Sequence, residues 1–167
     1  YTLSLHDALP ISLAEYSRLV AEAEAAVPGL CLGTDVLVGF PGESEADFEQ
    51  THEYLRSSAH AYFHVFSYSD RINNKSRHFA DKVAPPLIEK RSQTLRRLSA
   101  QKRQAYMERQ VGREEMVLFE QQKNGYWSGV TDTYIRVRVR SGQDLQNRFL
   151  AVHLLTVDNQ TMTGRLA

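Results

Sequence analysis

Cysteine is almost absent: Cys31 is the only one in 167 residues. One thiol excludes a disulfide framework and a cysteine-held metal cluster within one copy of the chain, and it reads as a reduced cytosolic thiol. Also lacking is any run approaching the roughly 20 apolar residues of a membrane span, or an apolar stretch behind a basic start. The expectation is a soluble, cytoplasmic protein. Net charge is missing too, since Lys plus Arg and Asp plus Glu each number 20, so the global balance names no partner. With 42% hydrophobic and 24% charged residues, the chain has the make-up of one or two globular domains with a modest core. There is no internal repeat and no low-complexity tract.

Charge is distributed unevenly. Residues 12–58 carry nine acids against Arg18 and Arg56, whereas residues 87–113 carry eight bases against Glu89 and Glu108. Such asymmetry suggests that one stretch meets a polyanion and another does not.

Residues 1–11 are expected to be non-native. Thr2 to Ile11 reads like the in-frame translation of a sequencing-adapter oligonucleotide, and no initiator Met precedes it. The native chain is then expected to begin near Ser12. The other reading is a genuine helix end, because Leu3, Leu5, Ala8, Leu9 and Ile11 are apolar.

From Leu13 to Val27, apolar residues at 13, 16, 20, 23 and 27 predict a helix with one buried stripe, stopped by Pro28 and Gly29. The nearly continuous apolar run from Leu30 to Phe40 predicts a parallel strand buried on both faces. Residues 39–42 break it, and Ser44 with Asp47 opens a helix to about Ser58 with Phe48, Thr51, His52 and Leu55 inward. A second strand is expected over Tyr62–Tyr68, then a polar loop to Ala84. Helix, strand, helix, strand is the grammar of an α/β layer with parallel strands.

Pro85 and Pro86 mark a boundary, after which a long helix is predicted to about Gly112, with Leu87, Arg91, Leu95, Leu98, Lys102 and Ala105 on one side and bases elsewhere. Beyond it, strands expected over residues 115–121, 127–140, 149–157 and 161–166 suggest a small β-barrel.

Three features carry candidate chemistry. A glycine turn at the C-terminal end of a buried parallel strand, residues 39–42, lets a ligand approach backbone closely; an ordinary strand-to-helix turn reads the same way. Glu43 either hydrogen-bonds that turn or favours the helix N-terminus. Tyr68, Ser69 and Arg71 sit where a strand meets a loop, a usual position for substrate contacts. Alternation along the barrel strand puts Tyr134, Arg136, Arg138 and Arg140 on one face and Ile135, Val137 and Val139 on the other. Three guanidinium groups beside a ring suit a phosphate backbone with a stacked base, and Tyr126 and Trp127 extend the stripe. An Arg-rich exposed strand that deters edge pairing is the alternative. Arg96, Arg97, Lys102 and Arg103 on the basic helix are further candidates for RNA, against a merely solvated face. His60 and His64 lack ligand partners at matching spacing, so no metal site is expected. Cys31 reads as a small core residue.

The residues Thr34 to Glu43, the helix with Asp47 and Phe48, and His64 to Ser69 with Arg71 resemble the last parallel strands of the radical-SAM barrel in methylthiotransferases. Val130 to Val137 resembles the TRAM domain that ends those enzymes. The resemblance covers essentially everything after residue 12, and its force lies in the order and spacing of the motifs. One departure is that members often continue as Arg-x-Gly-Thr where this chain reads Arg71, Ile72, Asn73, Asn74.

The implied fold is α/β. Residues 12–84 would be the C-terminal part of a (β/α) barrel, residues 85–112 a basic linker helix, and residues 113–167 an OB-like β-barrel. By this resemblance Val38, Gly39, Phe40, Pro41, Gly42 and Glu43 neighbour S-adenosyl-L-methionine, and Tyr68, Ser69 and Arg71 contact substrate. The resemblance also implies two [4Fe-4S] clusters, an electron donor, and radical transfer of a methylthio group to C2 of a modified adenosine beside the anticodon of tRNA. The cluster cysteines are not in this sequence, so the chain alone is expected to be inactive, with no catalytic residue of its own. The wording of the motifs looks closest to the members that act on threonylcarbamoyladenosine. Sister readings are the isopentenyladenosine enzyme, the ribosomal-protein methylthiotransferase and a non-catalytic RNA-binding module.

Overall fold

The computed structural model describes residues 11–167 other than 71, 73 and 74. The expected adapter segment up to residue 10 therefore lies outside the described residues. Helix α1, Leu13–Ala26, starts at a capping box in which Ser12 accepts from the Glu15 N–H while Glu15 accepts from the Ser12 N–H. Two orphan donors of the first turn are thus satisfied. Of its predicted stripe only Val20 is buried, while Leu13 and Val27 are exposed.

Strand β1 (Gly33–Val38), helix α2 (Glu45–Ser57) and strand β2 (Tyr62–Ser67) follow, with β1 and β2 parallel from Gly33 opposite Tyr62 to Val38 opposite Ser67. Helix α2 has the expected cap, with Ser44 and Asp47 exchanging bonds, and it buries Phe48 and Leu55. The strands are not covered on both faces, however. Val36, Val38, Phe63 and Val65 turn toward Phe48 and Leu55 of α2 and toward Leu95 and Leu98. Leu37 and Phe66, which are cross-strand partners, stay 51% and 53% exposed. A continuous apolar run makes both faces of the strand apolar, but among the described residues helices pack on one face only.

Helix α3, Pro85–Glu108, begins at proline as expected and ends before the predicted Gly112. It runs along β2, where the Ser99 hydroxyl accepts from the Phe63 N–H at 2.9 Å and donates to the Phe63 carbonyl at 2.7 Å. One side chain thereby satisfies both backbone groups at an open strand edge.

Strands β3 (Glu114–Lys123), β4 (Tyr126–Thr131), β5 (Arg136–Arg140), β6 (Phe149–Asp158) and β7 (Thr161–Leu166) close into a barrel in the order β3, β4, β5, β7, β6, with β5 and β7 parallel. The strand expected over residues 127–140 is two strands. Thr131 bonds Ile135 through its backbone N–H and its hydroxyl, and between them Tyr134 adopts a left-handed backbone with φ of 58°. Strand β3 approaches β4 so closely that a Cβ on Gly129 would lie 2.3 Å from the Leu118 carbonyl oxygen. Val117, Phe119, Val137, Val152 and Met162 fill the interior, and Ala61, Tyr106 and Met107 join the same core from outside the barrel. Tyr106 also donates to the Gly29 carbonyl at 2.8 Å, tying the end of α3 to the turn before β1; burial pushes its phenol up to about 12.

Candidate functional site

The turn after β1 is held by its own chain. Gly39 and Gly42 have φ of 80° and 90°, a conformation glycine adopts without Cβ strain. The Gly39 N–H donates to the Glu43 carboxylate at 2.7 Å, and the other Glu43 oxygen accepts from Arg91 at 2.7 Å. Of the two readings of Glu43, the structure supports the turn lock: both carboxylate oxygens are engaged inside the protein. Val38 and Pro41 are buried, which leaves backbone and the Phe40 ring as the surface this turn presents. Phe40 meets the rings of Tyr68 and Phe79 edge-on, with centroids 5.4 and 6.0 Å away.

Tyr68 closes the end of β2 by donating its backbone N–H to the Val38 carbonyl at 2.8 Å. Its hydroxyl donates to Asp70, which also pairs with Lys82; these two donors, Lys82 first, hold the Asp70 carboxyl below its usual range. Gly39, Tyr68, Ser69 and Asp70 border a cavity of about 430 Å³, which Lys82 and Ile88 also line. The structure thus brings Gly39, Tyr68 and Ser69 together at the strand ends. Arg71 lies outside the described residues.

On the barrel, alternation along β5 is as expected: Ile135, Val137 and Val139 are buried, Arg136 and Arg140 are exposed, and Arg138 is half-buried. Arg138 lies 5.7 Å over the Tyr126 ring, with Asp158 at 3.9 Å. Two members of the predicted stripe are placed otherwise. Trp127 points into the barrel, 6% exposed, because adjacent residues of a strand face opposite ways and Tyr126 takes the outer face. Tyr134 precedes β5 in the turn, 76% exposed.

The basic helix also divides. Arg96 and Arg97 are exposed. Lys102 instead turns inward and donates to the carbonyls of Arg56 and Ser58 at 3.2 and 2.8 Å, capping the C-terminus of α2, and burial lowers its pKa. Arg103 stacks 5.1 Å over Tyr62 and donates to the Tyr134 carbonyl, bridging the α/β layer and the barrel. His60 is buried between Tyr16 and Ser58, at 3.0 and 2.8 Å, and His64 is exposed. Among the described residues no group of three or more His, Cys, Asp or Glu converges as metal ligands would.

Arg91, expected on the apolar side of α3, has a role at the β1 turn that its spacing alone does not name. Its signal was position: it shares the apolar side of α3 with Leu95 and Leu98, where an arginine must find partners or pay for desolvation. It finds Glu43 and Glu45, and its guanidinium sits 5.2 Å over Phe48.

No family model matches the chain. The chain is 34% identical over 149 residues to the tRNA-2-methylthio-N(6)-dimethylallyladenosine synthase of Nitratidesulfovibrio vulgaris, covering 84% of this chain and 33% of that protein. It is 38% identical over 100 residues to the threonylcarbamoyladenosine tRNA methylthiotransferase MtaB of Aquifex aeolicus, covering 60% of this chain and 24% of that protein. With the MtaB of Bacillus subtilis it shares 29% identity over 135 residues, covering 78% and 30% respectively. The chain thus spans about one third or less of the length of these relatives.

Proposed function

Because the chain belongs to the methylthiotransferase superfamily of these relatives, we propose that it forms the C-terminal part of a radical-SAM enzyme that methylthiolates an adenosine of tRNA. In this reading residues 12–84 contribute strands to a larger barrel, residues 85–112 link, and residues 113–167 are an RNA-gripping TRAM domain. The observation that carries it is the outer face of β5, where Arg136, Arg138 and Arg140 lie in one row opposite Val130, Ser128 and Tyr126 of β4. A row of guanidinium groups spaced along a strand, backed by a packed barrel, suits a phosphate chain.

The residues at the β1 and β2 ends fit one wall of a site for S-adenosyl-L-methionine: an aromatic cluster around Phe40, backbone left accessible by Gly42, and the Gly39 to Ser69 cavity. That cofactor would supply the methyl group and the radical. The turn orients its neighbours because Glu43 and Arg91 hold it shut. The residues present do not fit a [4Fe-4S] cluster, since Cys31 stands alone, half-buried against the barrel core, and burial raises its pKa. This chain by itself is expected to be inactive.

We take N6-threonylcarbamoyladenosine beside the anticodon as the substrate, on the wording of residues 67–69 and 130–137. The dimethylallyladenosine reading is favoured by one observation, the longer match to the relative of that name. The test is titration of the chain with unmodified tRNA at low and high salt, beside a variant with Arg136, Arg138 and Arg140 changed to Ala. Salt-sensitive binding that weakens in the variant, with a shallower salt slope, supports the reading. Equal or absent binding by both proteins overturns the RNA grip and favours a protein substrate.

A further inference from the structure

A cleft of about 460 Å³ lies where β2, α3 and two barrel turns meet. Tyr62 and His64 line it from β2, Arg96 and Arg103 from α3, and Tyr134 and Gln160 from the turns before β5 and β7. Among the described residues, no Asp or Glu lines it. Two guanidinium groups that share a concavity without a carboxylate favour an anion there. Arg103 is already oriented by its stack on Tyr62 and its bond to the Tyr134 carbonyl. Arg96 is exposed and pairs with no acid among the described residues.

The aromatic part of the cleft is unusual. Tyr134 and Gln160 both have φ of 58°, a backbone that costs a residue with a side chain about 1 kcal/mol or more. The Tyr134 ring gains no burial in return, being 76% exposed. The turn therefore offers an exposed ring face beside two guanidinium groups, an arrangement suited to stacking a base next to a phosphate.

We propose that this cleft seats one unpaired nucleotide of the bound RNA, its phosphate on Arg96 and Arg103 and its base on the Tyr134 ring. This rests on the RNA reading above and adds a place at which single-stranded RNA is told from duplex. Tyr134 precedes the first arginine of the β5 row by two residues, so the cleft and the row are neighbours along the chain.

The test uses a fluorescein-labelled RNA stem-loop with an unpaired loop and a fully paired RNA duplex as probes. Two variants of the full chain are compared: Arg96→Ala on the exposed side of α3, and Tyr134→Gly, which removes the ring and suits the positive φ. Each is expected to keep its melting temperature and to bind the stem-loop roughly tenfold more weakly, with little change for the duplex. In the unaltered chain, 4-thiouridine placed in the loop is expected to cross-link within the cleft. Cross-links found only elsewhere, or equal weakening for both probes, overturn the proposal. If the cleft variants bind like the unaltered chain while the Arg136, Arg138 and Arg140 variant fails, the cleft is wrong and the RNA grip stands. If the unaltered chain binds neither RNA at low salt, both readings fail.

Discussion

Arg91 on α3 donates to the Glu43 side chain at 2.7 Å and to the Glu43 backbone carbonyl at 3.1 Å, so one guanidinium joins the last helix of the α/β layer to the turn that ends β1. The second contact, to Glu45, ends on a carboxylate that is 62% exposed and contributes little. The Glu43 pair is different, because the arginine side chain is 3% exposed and removing it strands a half-buried carboxylate.

Arg91→Met is therefore expected to destabilise the chain by roughly 3 kcal/mol, read as the midpoint of urea unfolding. Pairing it with Glu43→Gln should recover part of the loss. A loss as large in the double variant as in the single one would show that packing, not charge pairing, is what Arg91 provides.

His60 gives the stability a pH dependence. Burial, and after it the Lys102 charge, hold its pKa in the fold below the ordinary 6.5. The unfolded chain then binds more protons than the folded one below about pH 6.5, so stability is fully present above that pH and falls as pH drops toward the depressed value. Unfolding midpoints at about pH 7.5 and about pH 5.5 should differ, and His60→Gln should narrow the gap.

Three glycines rank by what a methyl group would meet. Gly42→Ala faces open space and costs only the left-handed backbone, about 1 kcal/mol. Gly39→Ala adds a 2.5 Å clash with Ile88, which a side chain can relieve in part. Gly129→Ala puts its Cβ 2.3 Å from backbone, and should separate β3 from β4 and lower the melting temperature most. Thermal unfolding of the three variants checks the order.

Separated from helix α3, the pieces on either side of it should behave unequally. Residues 113–167 carry most of their own core in a closed barrel without free edges, and are expected to resist protease alone. Residues 12–84 lose Leu95 and Leu98, which complete the core over β1 and β2, and are expected to be digested. A protease-resistant 12–84 piece would count against this division.

Much of the local structure around the candidate site was legible. The Ser44 and Asp47 cap, the glycine turn and the alternating arginines are each set by spacing within a few residues, and the parallel pair follows from the order helix, strand, helix, strand; the structure repeats them. What misled was of two kinds. The run from Leu30 to Phe40 says that a strand avoids water, but not how many layers cover it. Tyr126 and Trp127 both looked like partners for arginine, yet a strand can aim only one of two neighbours outward, and the inward one packs against Val139.

The sequence by itself therefore determined element type, the caps and the outward row of Arg136, Arg138 and Arg140, because periods of two and of 3.6 are local. Only the tertiary structure decided which charges remain free. Lys102 caps a helix made 44 residues earlier, Arg91 holds a turn 48 residues away, and Arg96 and Arg103 meet Tyr134 across a cleft. Those roles depend on which distant backbone or carboxylate lies within about 3 Å, a condition set by packing that no local pattern encodes.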